Sequence, residues 1–435
     1  MDEALRKILT IRRNLAELQA HGLPLHAAQS IMRTQVHGQT QHIQAAKLIP
    51  TAKALWYDTQ IRHMWDDLFG VAHTDLAWTR ANLPQQGGGC TLGAIGIGSR
   101  TGSAFLAGLS RCVDYVCRHC HCDGPDQLFE SAANLKQCKL SAVAALRNEL
   151  GPHEKVPWEY VRSQPFKQRE VNTKVNGAIR KALLARMSSE ATTAFRSAGG
   201  TGAGAFLQVP KDPDLMLDDN SFRIAYARRL GGGLCPTSAT QKCRHNGTRG
   251  PCGSDIDLDG RHCRICPIGG FVVGRHDRCL RWLASWLNEG RTTGPALVEQ
   301  LVPEENGRMD IVFQHGGHTW WVDLAVVSAV SSNPKACAAR AQADGAAARA
   351  EEGQKRTRYH GRAYPFVIEA LGRPGQQTKT FIRRFVQDCA DDFNTSTAEA
   401  WCALSCILQS SNALAELTCY GNQNLEQGAC QLFVP

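Results

Sequence analysis

The chain has 435 residues, 43% hydrophobic and 20% charged, which is enough apolar material for two or three cored domains and excludes global disorder. Lys and Arg number 49 against 40 Asp and Glu, a net +9 that permits a polyanionic partner without demanding one. No run of about 18 apolar residues occurs, the opening MDEALRKILTIRRNLAELQAHG is amphipathic, and 18 cysteines in such a chain point to reduced thiols and metal ligation rather than disulfides. Membrane spanning and secretion are disfavoured. An intracellular, nuclear protein is expected, although no run of five or more Lys/Arg is present, so nuclear placement rests on function.

Leu5, Ile8, Leu9, Leu15 and Leu18 recur at helical spacing before Gly22, predicting an amphipathic first helix. A second helical stretch runs from Pro24 through Leu48, and Leu55, Ile61, Trp65 and Leu68 continue the pattern. LPQQGGGCTLGAIGIGS then breaks it with a Gly-rich turn or loop, which lacks the Lys-Ser/Thr of a phosphate-binding loop. Residues 101 to 150 read as helical, and the polar, weakly patterned 151 to 200 as a linker. Cys112, Cys117, Cys120 and Cys122 are crowded on a helical stretch, whereas a tetrahedral metal usually takes paired ligands from two separate turns; a metal-free cluster is expected.

The second half carries chemistry in three consecutive pieces. In CRHNGTRGPCGSDIDLDGRHCRICPIGGFVVGRH, the donors Cys243, Cys252, His262 and Cys266 suit zinc, and the intervening Gly and Asp residues supply tight turns. Cys235, Cys263 and the pair His276 and Cys279 are competing ligands, and a Cys-rich loop packed under the next helix is the alternative. That helix is expected from Arg275 to about Asn288, with Leu280, Leu283 and Leu287 on one face beside Trp286.

The second piece holds MDIVF and TWWVDLAVV, rich in β-branched and aromatic residues and separated by a Gly-Gly turn, which predicts two adjacent antiparallel strands. Asp310 begins one and Asp323 interrupts the other. A carboxylate inside an apolar strand is costly unless paired or bound to a cation, and two of them across a hairpin can converge on one Mg²⁺. Glu299, on a preceding segment taken as helical, is placed to add a third oxygen. The alternative is a strand-edge Asp bonded to an Arg or a backbone amide.

In the third piece an Ala-rich helix after Asn333-Pro334 ends near His360 and leads into a strand, PFVIEALG. Lys355, Arg358 and Tyr359 share one helix face, so that Lys355 can orient or activate the attacking water and Arg358 can steady a phosphate. A solvated basic helix end would explain the cations but not the buried aspartates.

RMDIVF, Asp323 in WWVDLAVV, KRTRY and FVIEALG together resemble the restriction-like endonuclease domain of non-LTR retroelements, within the PD-(D/E)xK nuclease superfamily. DGRHCRICPIGGFVVGRHDRCL is similar to the Cys/His segment and Arg-His-(Asn/Asp) sequence that precede that nuclease. LPQQGGGCTLGAIGIGSRTGSAFLAG and GAGAFLQVPKDPDLMLDDNSFRIAYARRLG resemble the helical region after the reverse transcriptase palm. The resemblance covers most of the chain, loosely before residue 200. It implies that Asp310 and Asp323 are the Mg²⁺-binding acids and that Lys355 is the lysine moved from strand to helix. Met309 departs from the usual Pro or small residue. Ala325 stands where the parent pattern has Lys, so activity rests on the helix-borne lysine. Arg249 stands where a close CxxC opening before His262 would need a cysteine, leaving Cys243 to substitute from farther away. Asp391 and Asp392 in CADDF resemble a polymerase double aspartate but follow a helical run, so no reverse transcriptase is expected, and the chain reads as a fragment downstream of the palm.

These readings give an α+β fold: a helical region over 1–200, a linker and Cys/His zinc module over 201–280, a PD-(D/E)xK-like α/β nuclease core over 281–380 and a helical tail over 381–435. The expected function is Mg²⁺-dependent hydrolysis of a DNA phosphodiester by nicking, with a structural Zn²⁺; the alternative is a catalytically inactive nucleic-acid-binding remnant. DNA is the expected partner, with the element's RNA as a further one. A binding face is expected from Arg275, His276 and Arg278 beside the Cys/His module and from Lys355, Arg356 and Arg358 beside the acids.

Overall fold

The computed structural model describes residues 1–435 apart from 98–99, 120–123, 151–156, 165–166, 235–241, 257–259, 291–293, 303–306, 389–395, 422–429 and 432–435. It is a mixed α+β structure in which helices outnumber strands and the sheets are small. Cys120, Cys122, Cys235 and the Asp391-Asp392 pair lie outside the described residues.

The amino-terminal half is built from α1 (Asp2–Ala20), α2 (Leu25–Ala46), α3 (Thr51–Phe69), α4 (Asp75–Ala81), α5 (Arg100–His119), α6 (Pro125–Ser131), α7 (Ala133–Leu150), α8 (Trp158–Ser163), α9 (Lys167–Leu184) and α10 (Ser189–Ser197). Of the apolar stripe on α1, Leu5, Ile8 and Leu15 are buried, whereas Leu9 and Leu18 are exposed. Gly70 ends α3 with φ of 66°, a conformation that only glycine adopts without strain, and the Thr74 hydroxyl caps α4.

The Gly-rich segment after α4 has a structural role. Its backbone amides at Ile95, Gly96 and Ile97 donate to the Asp58 carboxylate at 2.7, 2.9 and 3.2 Å, so these N–H groups are occupied by the protein's own acid. A side chain at Gly89 would meet the carbonyl oxygen of Leu83 at 2.1 Å. The linker expected over 151–200 is corrected. Its described residues form α8, α9 and α10, which bury Trp158, Val161, Val171, Val175 and Phe195, because apolar residues too sparse to mark a helix still line its inward stripe.

After α11 (Asp219–Arg229) come three short strands, β1 (Gly233–Leu234), β2 (Asn246–Gly247) and β3 (Gly250–Pro251), and then α12 (Arg261–Ile265) and α13 (Phe271–Glu289). β2 and β3 pair as a small hairpin. α13 buries Leu280, Leu283, Trp286 and Leu287, as its apolar spacing predicts.

The main sheet follows: β4 (Leu297–Val302), β5 (Gly307–His315), β6 (His318–Val327), the helices α14 (Pro334–Arg340) and α15 (Ala346–Arg358), and β7 (Ala363–Glu369), in spatial order β4-β5-β6-β7. β5 and β6 are antiparallel about Gly316-Gly317, whose φ values of 59° and 76° suit a tight hairpin turn. β7 returns parallel to β6, so α14 and α15 are the crossover between them. The Ala-rich stretch is two helices rather than one, and Gly345, at φ of 71°, opens the second.

α16 (Gln376–Asp388) packs Phe381 and Phe385 around Phe313 and Trp320 of the sheet. α17 (Thr397–Tyr420) begins with a Ser396 and Glu399 capping box and is buried along most of its length. A final strand, β8 (Cys430–Gln431), pairs with β1. One buried apolar cluster joins α1, α2, α3, α11, α13, the main sheet, α16 and α17. α5, α7, α8 and α9 enclose a second.

Candidate active site and metal centre

The β5–β6 ladder places Ile311 opposite Val322, and one step further along the same register sets Asp310 opposite Asp323. Neighbouring carboxylates at such a position repel unless something neutralises them. The backbone ladder stops there, and Asp310 Oδ2 accepts the Leu324 N–H at 2.7 Å instead. Opposite Asp323 on β7 stands Pro365, which has no N–H to donate. Ile311, Phe313, Val322 and Leu324 are buried in the main core, and these burials hold the register on which the acids meet.

Each acid has its own cationic neighbour. Lys355 Nζ, from α15, lies 2.7 Å from Asp323 Oδ2 and also donates to the Leu324 carbonyl at 3.4 Å. His276 of α13 brings Nε2 to 3.4 Å from Asp310 Oδ2, while its Nδ1 lies 3.1 Å from the Asp277 carboxylate. Hydrogen bonding to Asp310 pushes the His276 imidazole up to about 9 against the opposing effect of burial. Burial pushes the Asp323 carboxyl up even though Lys355 draws it down. Asp310 is also raised by burial, but its bonds to His276, Leu324 and Asp323 leave it below the usual carboxylate range. The Tyr359 phenol, buried at the end of α15, hydrogen-bonds Asp323.

Several expected residues lie elsewhere. Glu299 is in strand β4 rather than a helix, is exposed, and pairs with Arg308, so it is not drawn to the two aspartates. Arg358 is exposed, with its guanidinium 5.2 Å from the Tyr359 ring, and does not share the inward path of Lys355. Arg275 is 4% exposed and donates to Asn412 Oδ1 at 2.8 Å and to the Arg264 carbonyl, so it braces α17 and cannot form part of a nucleic-acid face. Arg278 is half-buried and donates to the Ser411 hydroxyl at 3.1 Å, and His276 turns to Asp310. Only Arg356 and Arg358 of the six expected cations are exposed.

The Cys/His segment converges. One donor atom from each of Cys243, Cys252, His262 and Cys266 lies within 4.8 Å of the others, a group that can bind a metal such as zinc. Cys252 Sγ and His262 Nε2 are 3.4 Å apart, and Cys243 and Cys266 Sγ 3.9 Å. The Ser254 hydroxyl holds the Cys252 thiol down to about 6, whereas burial lifts Cys266 to about 12. Chain folding makes the site: β2 and β3 turn Cys252 back toward Cys243, and α12 delivers His262 and Cys266 one turn apart. The competing pair of His276 and Cys279 is excluded by position, since Cys279 is buried in the core side of α13. Cys112, on α5, is exposed, and no metal-sized donor group forms around it among the described residues.

Two further donors, His245 and Cys419, were not singled out as zinc ligands by spacing. They gather on the buried side of Cys243, with Cys263, the competing ligand named above, beside Cys419, which comes from α17, 176 residues away in the chain. The CRH sequence does hint at His245, but nothing local marks Cys419. No helix among the described residues is long and apolar enough to cross a membrane. No protein-family model matches the sequence, and no curated protein matches it.

Proposed function

We propose that the protein is a Mg²⁺-dependent DNA endonuclease of the restriction-like type found in non-LTR retroelements, nicking through Asp310, Asp323 and Lys355. The observation that carries this reading is the meeting of two strand carboxylates at one cross-strand position, with a lysine ammonium 2.7 Å from one of them. The donor set fits a hard divalent cation: two adjoining carboxylates, Asp323 buried and Asp310 partly so, repel each other and gain most from a small charge with oxygen preference. Mg²⁺ when bound would supply Lewis-acid polarisation of the phosphate and offset its developing charge.

The chain's own residues supply the rest. Lys355 and Tyr359 hold Asp323 from the α15 side, and His276 and the Leu324 amide hold Asp310 from the other, so both carboxylates are pre-oriented. The Lys355 ammonium, donating toward the acid, is also suited to orient an attacking water. Arg356 and Arg358, exposed on the same helix, offer phosphate contacts that hold DNA by charge. The zinc group would serve a structural role, cross-linking a segment with little regular structure. Nuclear action on DNA, with the element's RNA as a second ligand, follows from this reading.

The test is conversion of supercoiled plasmid to open circles in Mg²⁺. Asp323→Asn and Lys355→Met should each lower the nicking rate by roughly 10²–10⁴-fold while leaving duplex binding in place. Equal nicking by wild type and Asp323→Asn would overturn the site assignment. Salt-dependent binding with no nicking in Mg²⁺ or Mn²⁺ would instead establish the inactive binding protein.

A further inference from the structure

The buried side of Cys243 is crowded with donors that a single zinc ion leaves unused. Cys419 Sγ lies 3.4 Å from Cys243 Sγ, closer than Cys266 does at 3.9 Å. Cys263 in turn contacts Cys419 through its thiol. One donor atom from each of Cys243, His245 and Cys419 lies within 4.8 Å of the others, and all three residues, with Cys263, are buried.

His245 supplies an independent sign of a ligand. Its ring is 0% exposed, and Nε2 lies 2.7 Å from the Ala415 carbonyl oxygen. A carbonyl only accepts, so the ring proton sits on Nε2 and Nδ1 presents a lone pair. That Nδ1 is buried without a hydrogen-bond partner. Leaving such an atom unsatisfied costs about 1–3 kcal/mol, whereas an imidazole whose other nitrogen donates to a backbone carbonyl is the usual state of a metal-bound histidine.

We propose that the module holds two zinc ions bridged by the Cys243 thiolate: one with Cys252, His262 and Cys266, the other with His245, Cys263 and Cys419. Two tetrahedral ions that share one ligand require seven donors: the two groups supply six, and buried Cys263, beside Cys419, supplies the seventh. The bridge explains why Cys243 alone belongs to both donor groups. The second ion gives His245 Nδ1 its partner and converts Cys263 and Cys419 from abutting buried thiols into ligands. Its consequence is mechanical. Cys419 lies near the end of α17, so the second ion would clip the tail helix to the Cys/His segment across 176 residues of chain.

The experiment is metal analysis of the full chain, purified under reducing conditions and dialysed against zinc-free buffer. Two zinc ions per chain are expected for wild type. Cys419→Ser and His245→Asn should each retain one, and Cys406→Ser, which alters a buried cysteine of α17 outside the cluster, should retain two. Cadmium substitution of wild type should give two ¹¹³Cd resonances coupled through the shared sulfur, a readout that does not depend on any variant folding. One zinc per wild-type chain, uncoupled cadmium signals, or two ions retained by a folded Cys419→Ser variant would each overturn the proposal.

Discussion

Buried carboxylates are the residues whose surroundings change their chemistry most, and two of them frame the molecule's behaviour. Asp323 and Asp58 both sit out of solvent. The first faces a lysine and a second acid. The second accepts three backbone amides of the Gly-rich loop, yet burial still lifts it to about 6, above an ordinary 3.8. With the folded value raised, the stability that Asp58 contributes is full below its unfolded pKa and is lost as the pH rises through about 6. Asp58→Asn carries no such proton. Urea denaturation of the two proteins between pH 4 and 7 should therefore show their difference moving in the variant's favour with rising pH, by roughly 1–3 kcal/mol. A pH-independent difference would mean that the amide cradle alone governs Asp58.

Among the elements, α17 does more than a terminal helix usually does. Its Glu416, 0% exposed, meets Arg228 of α11 at 2.8 Å and Arg264 of α12 at 2.9 Å. The three charges join the carboxy-terminal helix to the Cys/His segment and to the helical half in one buried cluster. Removing the central carboxylate would leave two guanidiniums facing each other without solvent, and for such a broken buried pair the cost is about 3–5 kcal/mol. Glu416→Ala should lower unfolding free energy by that amount in urea titrations. A loss under about 1 kcal/mol would show that solvent enters and relieves the cluster.

For the whole molecule, the decisive feature is continuity of the main core. Buried residues from Leu5 to Tyr420 belong to one apolar cluster that includes Cys243, Cys263 and Cys266 of the metal group. A metal held by that group would add its ligation energy to a core shared with α1, α2 and α3, not to a detachable finger. Stripping zinc with a strong chelator should accordingly lower the melting temperature by roughly 10 °C or more, with helical ellipticity and tryptophan fluorescence falling together. Trp65 of α3 and Trp286 of α13 report from opposite halves of the chain, and both are buried. An early transition confined to one of the two signals would show that the halves unfold separately.

Periodic and local features were legible from the sequence alone. The hairpin of MDIVF and TWWVDLAVV, the apolar face of α13, the Gly-Gly turn and the four-donor Cys/His spacing all depend on residues near one another in the chain, where side-chain alternation and turn chemistry act directly. Asp310 and Asp323 could be singled out because a charge inside an apolar strand demands a partner. Other assignments depended on contacts distant in sequence. Glu299 has an acid's chemistry, but an edge strand gives it to Arg308; Arg275 reads as a surface cation, but α17 buries it against Asn412. His276, grouped with a DNA-binding surface, faces Asp310 because α13 packs on the sheet. Cys419 joins the metal group only because a helix formed at the far end of the chain lies against Cys243. Sequence spacing determines which donors and acids can meet through short turns, whereas tertiary packing decides which buried polar atoms must find partners across the fold, since water is excluded and each must be satisfied where it lies.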